Sequence, residues 1–588
     1  MTMDRHFLTI SLKEAREKGW DSLDIILITG DAYVDHPSYG ASVIGRVLEK
    51  AGYRVGIIAQ PDWRDTGDFR RLGRPKLFFG ITAGNMDSMV ANYTANKKPR
   101  RKDDYSPGGK TGLRPDRAII VYANRVREAF GDVIIVIGGI EASLRRFAHY
   151  DWWDNEVRRS IIFDSRADIL VYGMGEKQVV EIASRIRQGR DLKDIRGTAV
   201  ILRNKENFIK ENKEFLEIPS FEEVKEDKEK FNYAFRIIYR NQDPFKGMAI
   251  IQRHSDRYLI QYPPPLPLNE QELDAIYGLP FLRKPHPSYG YKGGIPGFET
   301  VKFSIISHRG CCGECSFCGL YMHQGRIIQS RSKGSILKEA KLITEMEDFR
   351  GTITDIGGPT ANLYMAKCIL WDKKGTCTDR KCLIPERCKN LKLGLKESIQ
   401  LYREMLSIPK IKHVFIESGI RYDLISGKDS EEYLTLLCKN HISGQMKVAP
   451  EHCINRILKL MNKPTIESYE MFAKKYSEVK KRLKKDQYLV HYFITGHPGS
   501  TLEDAYAMSI YLKKRNIYPE QIQDFIPLPM TASGCMYYTE KDPFTGEDLY
   551  VAKTFRERKM HRALIQYKNP KNIHLIHEAE RKLCSNCG

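Results

Sequence analysis

Residues 301–320 read VKFSIISHRGCCGECSFCGL, an apolar run followed at once by Cys311, Cys315 and Cys318 in the spacing C-x3-C-x2-C. The run predicts a strand, which places the cysteines in a loop at its carboxyl end, where α/β folds gather their ligands. Three thiolates so spaced can bind three irons of a 4Fe-4S cluster and leave the fourth open to chemistry, whereas four would close a cluster used only for electron transfer. Short cysteine spacings also suit tetrahedral zinc, or a run of buried thiols. Cys312 falls off the spacing and reads as a neighbouring free thiol.

From Thr300 onward six runs alternate with helical stretches such as SILKEAKLITEMEDF: VKFSIISH, GTITDIGG, KHVFIESG, GQMKVAPEH, YLVHYFITG and IQDFIPLP. Six parallel strands with outer helices make an incomplete barrel, a partial (β/α)6 arrangement. The strand ends carry residues suited to a site: Gly357, Gly358 and Pro359, then Glu417, Ser418 and Arg421, then Lys447 and Glu451, then Gly496. Glycine permits close backbone approach to a ligand. Ser500 and Glu503 have the S-x-x-E spacing of a capping box for the next helix.

Working toward the amino terminus, LDIILITGD, RVGIIAQ, KLFFGITAG, DVIIVIGGIEAS and ADILVYGMGE alternate with amphipathic stretches such as ASVIGRVLEKAGY and KQVVEIASRIRQG. That pattern predicts a doubly wound parallel sheet over residues 1–190. Residues 191–300, with a charged run and the polyproline-like YPPPLPL, read as a connector. SPGGKTG lacks the first glycine of a phosphate loop, because Asp104 holds that position, and reads as a surface loop.

The catalytic half spans 301–570, with a cysteine-rich insertion at 366–392 and a tail at 571–588. In the insertion Cys368, Cys377, Cys382 and Cys388 can close a structural zinc site or an auxiliary iron-sulfur cluster, or form a metal-free loop. Cys584 and Cys587, in the terminal CSNCG, supply half a site or a frayed tail.

At 588 residues the chain is long enough for two to four domains, and all 13 cysteines lie from Cys311 onward, so thiolate chemistry belongs to the second half. The net charge of +21 and pI near 9.2 make nucleic acid a candidate partner. The cations are nevertheless spread along both halves, as on ordinary solvated faces. The polar amino terminus does not read as a secretory signal, and no run nears the ~20 apolar residues needed to cross a bilayer. A cytoplasmic protein with no membrane contact is expected.

HPSYG, GIPGFETVKFSIISHRGCCGECSFC, DIGGPTAN, KVAPEH, FITGHPG and QDFIPLP together resemble the YgiQ family of radical-SAM proteins, over essentially the whole chain. The loop resembles the radical S-adenosylmethionine (SAM) loop, down to the aromatic Phe317 before the last ligand. The resemblance implies a 4Fe-4S cluster on Cys311, Cys315 and Cys318 whose open iron chelates SAM. It also implies reductive cleavage of SAM to a 5'-deoxyadenosyl radical, fed by a reductant such as flavodoxin or ferredoxin. Gly357 and Gly358 would approach the SAM amino group, Glu417, Ser418 and Arg421 would reach its ribose and carboxylate, and Lys447 and Glu451 at the next strand end are further cofactor-binding candidates; capping or a surface salt bridge is the alternative for each polar residue. Pro359 stands where the family of folds has Glu, so only backbone contacts carry over there.

The amino-terminal domain resembles cobalamin-binding domains. In VDHPSYG, however, Asp35 directly precedes His36 and Gly40 comes one position late, so D-x-H-x-x-G is not met and the fold is expected without cobalamin. The substrate stays open. The alternatives are an RNA- or ribosome-modifying enzyme and a non-catalytic iron-sulfur redox sensor.

Overall fold

Five apolar runs of the first half become neighbouring parallel strands, in the order Val55–Ala59, Ile25–Thr29, Phe78–Thr82, Ile135–Ile137, Ile169–Val171. Numbered along the chain this is 2-1-3-4-5, a doubly wound order with its switch point between Ile25–Thr29 and Phe78–Thr82. The computed structural model describes residues 6–211, 214–519 and 522–585. All five residues of Ile25–Thr29 are buried, as expected of a strand covered on both faces, and helices Gly40–Lys50 and Glu176–Arg187 turn amphipathic faces to the sheet.

The stretch 191–300 departs from its expected role as connector. It supplies Thr198–Leu202, Arg257–Gln261, Ala249–His254 and Phe215–Ile218, which extend the same sheet beyond Ile169–Val171 to nine strands. The pairings here are mostly antiparallel. These strands are interrupted by charged helices, Phe221–Glu226 and Lys228–Arg240, which dilutes the period-two signal. The pentapeptide HPSYG occurs at 36–40 and again at 286–290. The residues just before each copy pair antiparallel, Asp35 with Lys284 and Val34 with Pro285. This returns the end of the supposed connector to the first strand's loop, and residues 1–302 with 322–325 form one compact unit.

The second unit comprises 303–321 and 326–588. Parallel pairings link its strands in chain order. Ser304–Ile306 lies beside Asp355–Gly357, and Thr352–Ile353 beside His413–Val414. Ile420 bridges to Val448, and Gln445–Glu451, Tyr488–Thr495 and Ile522–Asp524 lie side by side. The run KHVFIESG gives only the two-residue strand His413–Val414, because Glu417 and Ser418 bond to a neighbouring side chain instead of a ladder.

The predicted capping box sits one residue along: Thr501 caps Leu502–Lys514, with Asp504 reciprocating. The expected tail is a helix, Ile573–Ser585, whose Leu575 and Ala579 pack with Ala505, Met560, Ala563 and Leu564. Cys584 is exposed near its end, and Cys587 lies outside the described residues. Among the described residues no helix is long and apolar enough to cross a membrane.

Candidate functional site

Cys311, Cys315 and Cys318 follow Ser304–Ile306 and the short strand His308–Arg309, and all three are partly buried. The loop is clamped from outside. Asn462 Nδ2 donates to the carbonyls of Gly313 (3.0 Å) and Glu314 (2.8 Å), Ser316 N–H donates to Met461 O at 3.0 Å, and Cys318 N–H closes a turn onto Cys315 O at 3.0 Å. Glu314 holds a left-handed backbone at φ 48°, a conformation costing about 1–2 kcal/mol for a residue with a side chain. Its carboxylate is fixed by Arg326 at 3.2 Å. Phe317 meets the ring of His497 edge-on at 6.4 Å.

The thiols lie within one another's electrostatic reach. Burial first, then the neighbouring Cys315, pushes Cys311 up and pushes Cys318 up to about 12. Buried thiols of this kind ionise when a metal takes the proton's place. A Cβ at Gly313 would lie 2.6 Å from Arg421 Nη1 and 3.3 Å from Cys311 Sγ, so glycine lets the Arg421 guanidinium lie close against the loop. Among the described residues no group of three or more His, Cys, Asp or Glu is drawn together as for a single metal ion. Thiolates that each bind a different iron of a cluster need no such convergence on one point. Three soft donors on one loop fit an iron-sulfur cluster that has an open corner.

Gly357 and Gly358 sit where the sequence places them. A Cβ at Gly357 would overlap Ser418 Oγ, and one at Gly358 would lie 2.7 Å from both the ring and the carbonyl of His308. Glu417 and Ser418 are positioned by Asp355, whose Oδ1 accepts from both backbone N–H groups at 2.8 and 3.0 Å and whose Oδ2 accepts from Ser418 Oγ. Glu417 also accepts from Lys447 Nζ at 2.8 Å. Glu451 is buried at φ 68°, 3.8 Å from Lys463, and burial raises its carboxyl.

Arg421 is turned toward the cysteine loop. It holds Asp423 through Nε and Nη2 and donates from Nη1 to Cys315 Sγ at 3.8 Å. Sequence reasoning missed the positioning residues. Asp355 and Asn362 were inside a quoted motif, and Asn362 joins two strand ends by exchanging hydrogen bonds with the Arg421 backbone at 2.8 and 3.0 Å. Asn462 carried no signal, because its partners lie far away in sequence.

At the switch point of the first unit the strand ends are filled by protein. Arg114 donates to Gly30 O (3.2 Å) and Asp31 Oδ1 (2.6 Å) and pairs with Asp103 at 3.3 Å. Arg114 and Asp31 are buried, and burial above all raises Asp31 to about 6. A Cβ at Gly30 would overlap Ala83 O, and one at Gly84 would overlap the Asp31 carboxylate. What remains, among Thr29, Asp31, Tyr33, Tyr39 and Asn85, is a cavity of about 10 Å³, roughly the room one water needs. His36 is buried, its Nδ1 accepting from Ser38 N at 3.1 Å.

Residues 7–304 match the family model "Radical SAM N-terminal", and 520–586 match a domain of unknown function, DUF3362. A UPF0313 protein of Clostridium botulinum (strain 657 / Type Ba4) is 51% identical over 576 residues, covering 97% of this chain and 90% of that protein. The chain belongs to the UPF0313 family. This bears out the resemblance to the YgiQ radical-SAM proteins. Other UPF0313 proteins come from Methanocella arvoryzae, 52% identical over 96% of this chain and 94% of that protein, and Methanosarcina mazei, 49% identical over 97% and 96%.

The fold of this UPF0313 chain is similar to that of the radical SAM methyltransferase TsrM from Kitasatospora setae. The form with tryptophan substrate and aza-SAM bound has TM-score 0.50 and 15% identity, covering 87% of this chain and 76% of that one. The form with cobalamin and a 4Fe-4S cluster bound has TM-score 0.51 and 14% identity, covering 88% and 79%.

Proposed function

We propose that this UPF0313 protein is a radical-SAM enzyme, with a 4Fe-4S cluster on Cys311, Cys315 and Cys318 and SAM held across the adjoining strand ends of a partial (β/α)6 barrel. The observation that carries the reading is the convergence of the clamped three-thiol loop with Gly357, Gly358 and Ser418 at one end of consecutive parallel strands. When bound and reduced, such a cluster supplies one electron that splits SAM into methionine and a 5'-deoxyadenosyl radical.

The chain's own residues do the holding. Gly357 and Gly358 let Ser418 and His308 approach the strand end where side chains would collide, Asp355 fixes Glu417 and Ser418, and Glu417 with Lys447 offers a charge of each sign to a zwitterionic ligand. Arg421, placed on Cys315, serves the thiolate's charge in this reading and leaves the SAM carboxylate to others.

The first unit is read as working without cobalamin. Arg114, Asp31, Asp103 and Tyr39 occupy the crevice where a doubly wound fold takes its ligand, and His36 is buried away from it. These residues do not fit a corrinoid.

Anaerobically reconstituted protein given SAM and dithionite is expected to release 5'-deoxyadenosine, and the Cys315→Ala variant none. Wild type that lacks cluster absorbance, or carries it without releasing the nucleoside, defeats the proposal.

A further inference from the structure

Between Asp355–Gly357 and helix Leu395–Leu406 the chain makes an excursion held by little regular structure: a two-residue ladder, a 3-10 turn and the four-residue helix Trp371–Lys374. Three of its four cysteines nevertheless share one apolar wall. Cys368 stands in the ladder opposite Leu391. Cys388 folds back so that its N–H donates to Cys382 O at 2.8 Å, and Leu391 N–H donates in turn to Cys388 O at 3.0 Å. Cys368, Cys382 and Cys388 therefore meet on one apolar wall with Trp371, Leu383 and Leu391, and Cys311 and Cys312 of the first loop pack into that same wall. Cys377 belongs to the group as well: burial, then Glu314, then Cys368, Cys377 and Cys388 push the Cys382 thiol up to about 12.

None of these cysteines is in a disulfide. A segment so poor in regular structure gains from a staple, and a metal centre is the usual one where thiols stay reduced. The charge pattern suits an anionic centre. From Lys367 to Lys392 the chain has eight lysines and arginines against three acidic residues, and Lys381, next to Cys382, lies within electrostatic range of both Glu314 and Cys315. The group is not drawn together as for a single ion, which is equally true of Cys311, Cys315 and Cys318.

We propose that Cys368, Cys377, Cys382 and Cys388 hold a second 4Fe-4S cluster, closed by four thiolates and packed against the apolar wall it shares with the first cysteine loop. The inference does not depend on SAM cleavage.

The test is metal and sulfide content per chain after anaerobic reconstitution, with Mössbauer spectra to identify the iron. Wild type is expected to hold about eight irons and eight sulfides. The Cys311→Ala, Cys315→Ala, Cys318→Ala triple variant should keep about four irons, with no response to SAM. The Cys382→Ala, Cys388→Ala variant should also keep about four, with an electron paramagnetic resonance signal that SAM still perturbs. If that double variant fails to fold, the triple variant decides alone. An iron-free triple variant overturns the proposal, as does one that retains zinc in place of iron.

Discussion

Glycines stand at strand ends in both units of this molecule, and what meets them differs. Beyond Ile25–Thr29 and Phe78–Thr82, the space that Gly30 and Gly84 leave is taken by Ala83 O and the Asp31 carboxylate, with Arg114 locked between Asp31 and Asp103. At the end of Asp355–Gly357, the space at Gly357 is taken by Ser418 Oγ and that at Gly358 borders the ring and carbonyl of His308, with Cys311 Sγ 3.9 Å from Thr360 Oγ1 a little further on. The switch point of the first unit spends its polar groups on one another, whereas the strand ends of the second set three thiols beside weak partners, Arg421 on Cys315 and Thr360 near Cys311. A glycine at a strand end thus reports a close approach, and only the approaching group says whether the place is closed or available.

The comparison breaks most visibly at Arg114. Arg114→Ala strands two buried carboxylates and should cost about 3–5 kcal/mol of stability in urea unfolding, while iron content after reconstitution stays at the wild-type level. A loss under about 1 kcal/mol would mean the first crevice is wetter than its packing implies. Next in size, Gly358→Ala should cut SAM cleavage about 100-fold, the scale of a misplacement near 1 Å at a reacting centre, with cluster absorbance retained. Gly84→Ala should do the reverse, lowering the melting temperature and sparing SAM cleavage at permissive temperature.

A third effect concerns acid. Burial first of all holds His452 down to about 3, and His497 and His561 down to about 4. Asp504 opposes this at His452 and His561, and Arg456 and Arg558 reinforce it. The unfolded imidazoles take up protons below about pH 6.5 that the folded ones refuse, so stability is full above that value and falls as pH drops toward 4. Urea midpoints at pH 7, 6 and 5 measure the slope, and His452→Gln should flatten it. The smallest effect is expected at Lys447, whose pair with Glu417 is more than a third exposed. Lys447→Met should change stability by less than about 1 kcal/mol, and a larger change in the urea midpoint would make this pair part of the framework.

Much of this was legible in the residues. The apolar runs at Ile25, Val55, Phe78, Ile135 and Ile169 became strands because central parallel strands are buried on both faces and leave an unbroken apolar trace. The cysteine loop could be placed because its strand precedes it directly. The stretch 191–300 was illegible as sheet because Phe215–Ile218 and Arg257–Gln261 carry charged, half-exposed or exposed residues such as Glu217 and Arg257, and charged helices part the strands. Ile573–Ser585 was hidden by its charge, since it buries only Leu575 and Ala579. At the site, glycines and cysteines announced themselves by type. Asp355, Asn362 and Asn462 did not, because their work is to hydrogen-bond backbone from elsewhere in the chain, and a single sequence records no such partner.

The ladder of Lys367–Cys368 with Leu391–Lys392 sets the two ends of the cysteine-rich excursion side by side. A two-residue hairpin turn could rejoin the chain there without moving any other strand. The excursion is thus an insertion by topology but not by packing: cutting it out at that ladder would strip from Cys311 and Cys312 the wall that Trp371, Leu383 and Leu391 supply.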